Sequence, residues 1–372
     1  MSSILRQLHE LGQSVWCDNI SRAMIDGGEL QRLIDLGVVG VTSNPTIFMK
    51  AITGSRDYDG RMMEALARTS DPLAIYEQLV VPDIADAADI LRPVYDQTNG
   101  VDGFVSLEVS PRLAYDTKGT IAEARRLHAQ LNRPNIFIKV PATAEGMPAI
   151  ETLIGDGISV NVTLIFALSA YEEVMQAYLR GLQRRDRAGG DLSRVASVAS
   201  FFVSRVDSLV DKLLAEKGKS GAEVDALLGQ AANANAKLAY ARFLEVFDPS
   251  GPFGPLAANG ARVQRPLWAS TSTKNPDYPD TIYVDNLVGP HTVNTMPPAT
   301  IEAVLDHGQA EVTINDDLDV AATLFDELAE LGISMDAVTD QLRVEGVDAF
   351  AKSFDELLQN IEKKRGSFRP VS

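Results

Sequence analysis

Short apolar runs recur eight times along this chain, most followed by a stretch of helical periodicity. That alternation constrains the fold more than any other feature. The runs span residues 15–20, 38–45, 103–110, 135–142, 158–166, 195–203, 266–272 and 281–288. Helical patterns follow over 28–36, 57–95 (a long insertion), 120–131, 146–155, 169–187, 205–217 and 222–246, and then over 299–307, 318–331 and 335–363. Strands that alternate with helices need crossover connections and imply a parallel sheet. Eight such repeats suit a closed α/β barrel, the (β/α)8 TIM-barrel architecture with extra helices, better than an open sheet. The Gly/Pro-rich stretches at 251–255 and 289–290 read as loops, so residues 1–372 are expected to form a single domain. The basic tail 363–365 is expected to fray.

The composition limits what such a barrel can serve. A net charge of −17 with no basic block argues against nucleic-acid and anionic-membrane partners. A few arginines focused in one cleft would still admit phosphorylated metabolites. One cysteine, Cys17, excludes an intrachain disulfide framework and fits a reducing compartment. No apolar run is long enough to cross a membrane, and residues 1–12 carry Arg6, His9 and Glu10 instead of a signal core. A cytoplasmic protein, monomer or homodimer, is expected. The four histidines (His9, His128, His291, His307) lack metal-ligand spacing, so neither a metal nor another cofactor is expected.

Within the fourth run, Asn135 to Ala142, sits Lys139. Lysine is rarely buried unless paired or at work. Burial disfavours its ammonium, and a neutral amine is a nucleophile suited to Schiff-base chemistry on a carbonyl. The bland alternative is a lysine whose stem packs while its head reaches water. Period-two alternation decides between them. Phe137 shares a face with Lys139, Ser106 with Glu108, Asn161 with Thr163, Ser200 with Phe202, Trp16 with Asp18, and Thr42 with Asn44. Polar residues thus gather near the C-terminal ends of six strands on the inward face, where barrel active sites form.

Each candidate also has a structural use. Asp18 could cap a helix or pair with a cation, and Asn44, before Pro45, could shape a turn. Asn161 and Thr163 could form a hydrogen-bond ladder, and Ser200 could simply pack. Glu108 has no basic neighbour in sequence and reads as functional. Arg205 suits either a phosphate or a helix carboxylate, and Lys274 lies in the hydroxyl-rich stretch Ser270-Thr271-Ser272-Thr273-Lys274, which suits an anion. Trp16 and Phe202 read as pocket wall, and Cys17 as packing on the outer face.

These segments together resemble a known family, the transaldolases. The resemblance rests on Gly40-Val41-Thr42-Ser43-Asn44-Pro45, Ser106-Leu107-Glu108-Val109-Ser110, Ile136 to Thr143, Gly157 to Phe166 and Ser200-Phe201-Phe202-Val203-Ser204-Arg205, in the family's order. Trp268 to Pro276 and Tyr283 to Pro290 are similar to the longer bacterial, actinobacterial form. The resemblance implies a pentose-phosphate-pathway transferase that needs no cofactor. It would move a dihydroxyacetone unit from sedoheptulose 7-phosphate to glyceraldehyde 3-phosphate, giving erythrose 4-phosphate and fructose 6-phosphate. It also implies roles. Lys139 would form the Schiff base on strand four, and Asp18 would act on the C4 hydroxyl. Glu108 with Thr163 would hold a proton-shuttling water. Asn44, Asn161 and Ser200 would bind the dihydroxyacetone hydroxyls, with Phe202 beside them. Arg205 would bind the phosphate, and Ser270 and Lys274 are further substrate-binding candidates; the family's short form has an arginine where this chain has Ser270-Thr271-Ser272, and whether Lys274, two residues on, takes over that phosphate contact is open at this point. Two rival readings remain at this point: a Schiff-base fructose 6-phosphate aldolase, and a barrel that binds sugar phosphates without turnover. A glutamate at 108 favours transfer over cleavage.

Overall fold

Eight parallel strands close into a barrel in sequence order, in a computed structural model that describes residues 3–217 and 221–367. They are β1 (Gln13–Cys17), β2 (Val38–Val41), β3 (Phe104–Glu108), β4 (Ile136–Pro141), β5 (Val160–Ile165), β6 (Ser197–Phe202), β7 (Arg265–Ala269) and β8 (Thr292–Met296). β8 returns to pair with β1 from Gln13↔Thr292 to Cys17↔Met296, so no sheet edge is left open. Helices cover the outside, which is why β4, β5 and β6 are buried along their whole length and read as near-continuous apolar runs.

The interior is packed at one end and open at the other. Trp16, Phe104 and Phe137 fill the lower barrel, with Phe137 stacked between the other two at centroid distances of 5.9 and 4.1 Å. β2 passes this layer only because Gly40 has no side chain; a Cβ there would lie 2.6 Å from the Trp16 ring. At the N-terminal end Asp102, fully buried, accepts from Ser14 at 2.8 Å, from the Trp16 indole at 3.3 Å and from Arg265 at 2.9 Å. A carboxylate satisfied this completely plugs the floor. Ligands therefore have access from the C-terminal end.

The eighth strand is not where the sequence pattern puts it. Residues 281–288 contain a short helix, Ile282–Asp285, and the strand is Thr292–Met296. The β-branched, apolar 281–288 segment is buried, but by helical packing: Tyr283 donates to Asp207 at 2.8 Å, and Asn294 donates to the Tyr283 carbonyl. The true strand carries polar residues on both faces (Thr292, Asn294, Thr295), with Val293 and Met296 too few to mark it as an apolar run. Three further expectations change. The 57–95 helix divides into Asp59–Leu66 and Pro72–Gln97. The 222–246 helix divides into Ala222–Asp225 and Ala231–Val246, interrupted where Gly229 adopts φ +69°. The 363–365 tail does not fray: Lys364 pairs with Asp59 at 2.7 Å, and Arg365 donates to the Ser70 carbonyl at 2.8 Å.

Asp207 gives this arrangement a pH signature. Burial, opposed by bonds from the Ala232 amide and the Tyr283 hydroxyl, pushes its carboxyl up to about 7. A carboxyl whose folded pKa is raised contributes stability below the unfolded value of about 3.9, and that contribution is lost as pH rises through the folded pKa. The loss approaches on the order of 4 kcal/mol above pH 7 by this shift. Asp207→Asn should flatten the dependence of Tm on pH between about 4 and 8, read by thermal denaturation.

A long last helix, Met335–Ser367, lies across the open end of the barrel. Ser353 accepts from Thr46, Asp355 pairs with Arg112 at 2.6 Å, and Phe354 packs edge-on against Tyr76 at 5.4 Å. This helix brings Phe350 over Lys139.

Candidate active site

Beneath Phe350 a cavity of about 650 Å³ opens at the C-terminal ends of the strands. Lys139 lies at its base, 5% exposed. Its Nζ donates to the Ser43 carbonyl at 3.0 Å, stands 3.7 Å from Glu108 Oε2 and faces the Phe350 ring at 5.9 Å. The strand order explains the second contact: β3 pairs with β4 in a register that sets Glu108 beside Lys139.

Asp18 lies one residue past β1, where its amide bonds the Met296 carbonyl. It accepts from the Thr42 hydroxyl at 2.7 Å, and that hydroxyl lies 2.6 Å from Thr295. Burial pushes the Asp18 carboxyl above its ordinary range, against the bond from Thr42 and the attraction of Lys139 and Lys274. Burial likewise raises Glu108, with Lys139 opposing and Asp18 reinforcing. Two carboxyls raised by burial beside one amine are the kind of cluster found where protons are exchanged.

Glu108 Oε2 and Thr163 Oγ1 are buried without a protein hydrogen-bond partner. They stand on β3 and β5, the two strands flanking Lys139. The β5–β6 register shifts between Val162 and Ile165, and Leu164 adopts φ +60°. This local irregularity immediately follows Thr163, and such bulges re-aim side chains beside active sites.

The remaining candidates divide into two groups. Asn44, Thr163, Ser200, Phe202, Arg205, Ser270 and Lys274 all line the cavity. Asn44 is also the N-cap of helix Pro45–Gly54, its Oδ1 accepting from Ile47 at 3.0 Å, which leaves its NH₂ for a ligand. Asn161 is fully buried one layer below, donating to Ser106 at 3.1 Å and accepting from Ser200 at 2.7 Å. It orients Ser200 and does not itself line the cavity. On the β6–β7 side the Arg205 guanidinium lies 5.3 Å from the Phe202 ring centroid, while Lys274 bonds Ser272, and Ser270 and Ser204 share a hydrogen bond.

Among the cavity residues that escaped the sequence reading are Phe350, Lys50 and Thr295. Phe350 comes from a helix whose docking no local pattern reveals. Lys50 follows Asn44 by six residues on an ordinary-looking helix, and only the i, i+3, i+4 spacing from Ile47 could have placed it on the cavity side.

A family model described as Transaldolase/Fructose-6-phosphate aldolase matches residues 15–361. The chain belongs to this transaldolase family. It is 51% identical over 366 residues to a protein named Transaldolase from Thermobifida fusca, covering 98% of this chain and 99% of the relative. A Transaldolase from Mycobacterium tuberculosis is 50% identical over 357 residues, 95% of each chain. One from Trichodesmium erythraeum is 44% identical over 376 residues, 99% of each. The transaldolase match thus runs from β1 into the helix that roofs the cavity.

Proposed function

We propose that the chain is a transaldolase that carries a three-carbon ketone unit between sugar phosphates on Lys139. The observation that carries the reading is a nearly buried lysine on β4, flanked by Glu108 and set at the base of a cavity whose rim holds Arg205 and Lys274. In this reading the amine of Lys139 adds to C2 of a ketose phosphate, and a proton relayed through the water at Glu108 and Thr163 lets the C2 oxygen leave as water, giving a protonated imine. Asp18 takes the C4 hydroxyl proton, the C3–C4 bond breaks, and its electron pair passes into the iminium. An aldose phosphate departs and an enamine stays on Lys139. A second aldose phosphate then accepts the unit by the reverse steps. The Asn44 amide and the Ser200 hydroxyl, held by Asn161, bind the hydroxyls of the retained fragment. Glu108 and Thr163 hold a water that relays protons as the imine forms and that is placed to hydrolyse it later. The roof formed by Phe350 limits other water, which favours transfer over hydrolysis.

Phosphate recognition falls to Arg205, Ser270 and Lys274. The chain's charge of −17 repels anions at long range, so local cations must outweigh that field. Arg205→Ala should lower kcat/KM for phosphorylated sugars about 30-fold or more, and hardly affect fructose. Equal losses on fructose and fructose 6-phosphate would move the phosphate elsewhere.

Mass spectrometry after borohydride reduction with fructose 6-phosphate tests the reading. A three-carbon adduct on Lys139, with sedoheptulose 7-phosphate formed when erythrose 4-phosphate is added, supports it. Free dihydroxyacetone as the main product would identify a fructose 6-phosphate aldolase instead. Absence of any adduct would leave a barrel that only binds.

A further inference from the structure

The cavity over Lys139 carries cationic side chains from three separate elements: Lys50 from helix Pro45–Gly54, Arg205 from helix Ser204–Glu216 and Lys274 from the loop after β7. Only the last two have been given a role above. None of the three forms an ion pair among the described residues, whereas surface cations such as Arg125, Arg133 and Arg180 pair with Asp156, Asp89 and Glu151. Lys274 senses the other two. Desolvation, then repulsion from Arg205, holds the Lys274 ammonium below its ordinary range; Asp18 opposes this, and Lys50 adds to the repulsion. Asp18 and Glu345 act on Lys274 and Arg205 only through space, without a direct ion pair, so cations gathered in this way become more favourable around an anion.

The local sequence explains why Lys50 points here. Asn44 caps the helix, and Ile47, Lys50 and Ala51 fall on one face, all lining the cavity. Position 50 is exposed, so its long side chain has room to follow a ligand. Residues 270–276 hold no arginine, only Lys274, a point charge without the guanidinium fork.

We propose that Lys50 is the third cation of the phosphate site, reaching from the β2 side of the barrel mouth toward the group that Arg205 and Lys274 approach from the β6–β7 side. The proposal rests on the sugar-phosphate reading above. A phosphate monoester carries about −1.5 to −2 charge at pH 7 and three acceptor oxygens, enough to engage cations from both rims at once. Spanning the mouth in this way would fix the substrate's far end while its carbonyl lies over Lys139.

Steady-state kinetics of Lys50→Ala, Lys50→Glu and Lys50→Arg with fructose 6-phosphate and with fructose test this, together with inhibition by inorganic phosphate. Lys50→Ala should raise KM for fructose 6-phosphate about fivefold with kcat little changed, and weaken phosphate inhibition to a similar degree. The Lys50→Ala deficit should shrink in high salt. Lys50→Glu should do more damage, because it adds repulsion, and Lys50→Arg should restore near-normal values. Fructose kinetics should not move. An equal change on fructose, or an unchanged KM in Lys50→Glu, overturns the proposal. Borohydride trapping at Lys139 reports separately on the Schiff-base reading. If trapping is intact and KM unaltered, Lys50 alone is wrongly assigned; if the wild-type chain does not trap, the reading beneath it fails.

Discussion

Lys139→Ala is expected to abolish turnover and borohydride trapping together while leaving the circular-dichroism spectrum native. The amine is the only atom in the proposal that bonds the substrate covalently, so its loss removes the path altogether. A fall of at least about 1000-fold in kcat is expected, as for other removed nucleophiles. Lys50 and Lys274 line the same cavity and act as internal controls. If proximity to the ketose were sufficient, trapping would shift to one of them. The fold should tolerate the change, because the Nζ contacts are with a carbonyl oxygen and one carboxyl, and Glu108, already raised by burial, can take up a proton when its cation is gone. Undiminished trapping in the variant would sink the assignment of Lys139.

Asp18→Ala should still form the imine and then stop. The step assigned to Asp18 is removal of the C4 proton, while imine formation is assigned to water at Glu108. The reduced adduct should therefore carry the whole ketose phosphate, not three carbons. A loss of about 100- to 10,000-fold in kcat is the usual range for a missing general base. In the wild type Asp18 must be ionised to act, and burial raises its pKa. The acid limb of kcat/KM should therefore lie above the ordinary carboxylate range, with the rate falling as pH drops through it. Because Glu108 senses the Asp18 charge, that limb belongs to the pair as a whole. A three-carbon adduct formed at the wild-type rate would show that another group takes the C4 proton.

Much of the barrel was legible because its strands are buried on both faces and its helices are not. Period two sorted the inward positions of β3, β4 and β6 along their length and those of β5 as far as Thr163, where the register with β6 shifts. The method failed at β8, where polar strand residues gave no contrast with the loops around them and the apolar run upstream was a better strand by composition than the strand itself. It also failed for Asn44, which the phase placed on a strand and the structure places at a helix cap. Proximity between distant segments carries no local signal, so Phe350 could not be read, whereas Lys50 was legible only through its helical spacing from Ile47.

The helix Met335–Ser367 has a consequence for what becomes of the enamine. Lys139, Asp18 and the cations are all in place once β8 has paired with β1, yet the roof over them belongs to the last stretch translated among the described residues. Removal of this helix would take Phe350 from over Lys139. On the proposed reading that loss would tilt the enamine from transfer towards hydrolysis, so the fidelity of the reaction would depend on a helix that supplies no strand of the barrel.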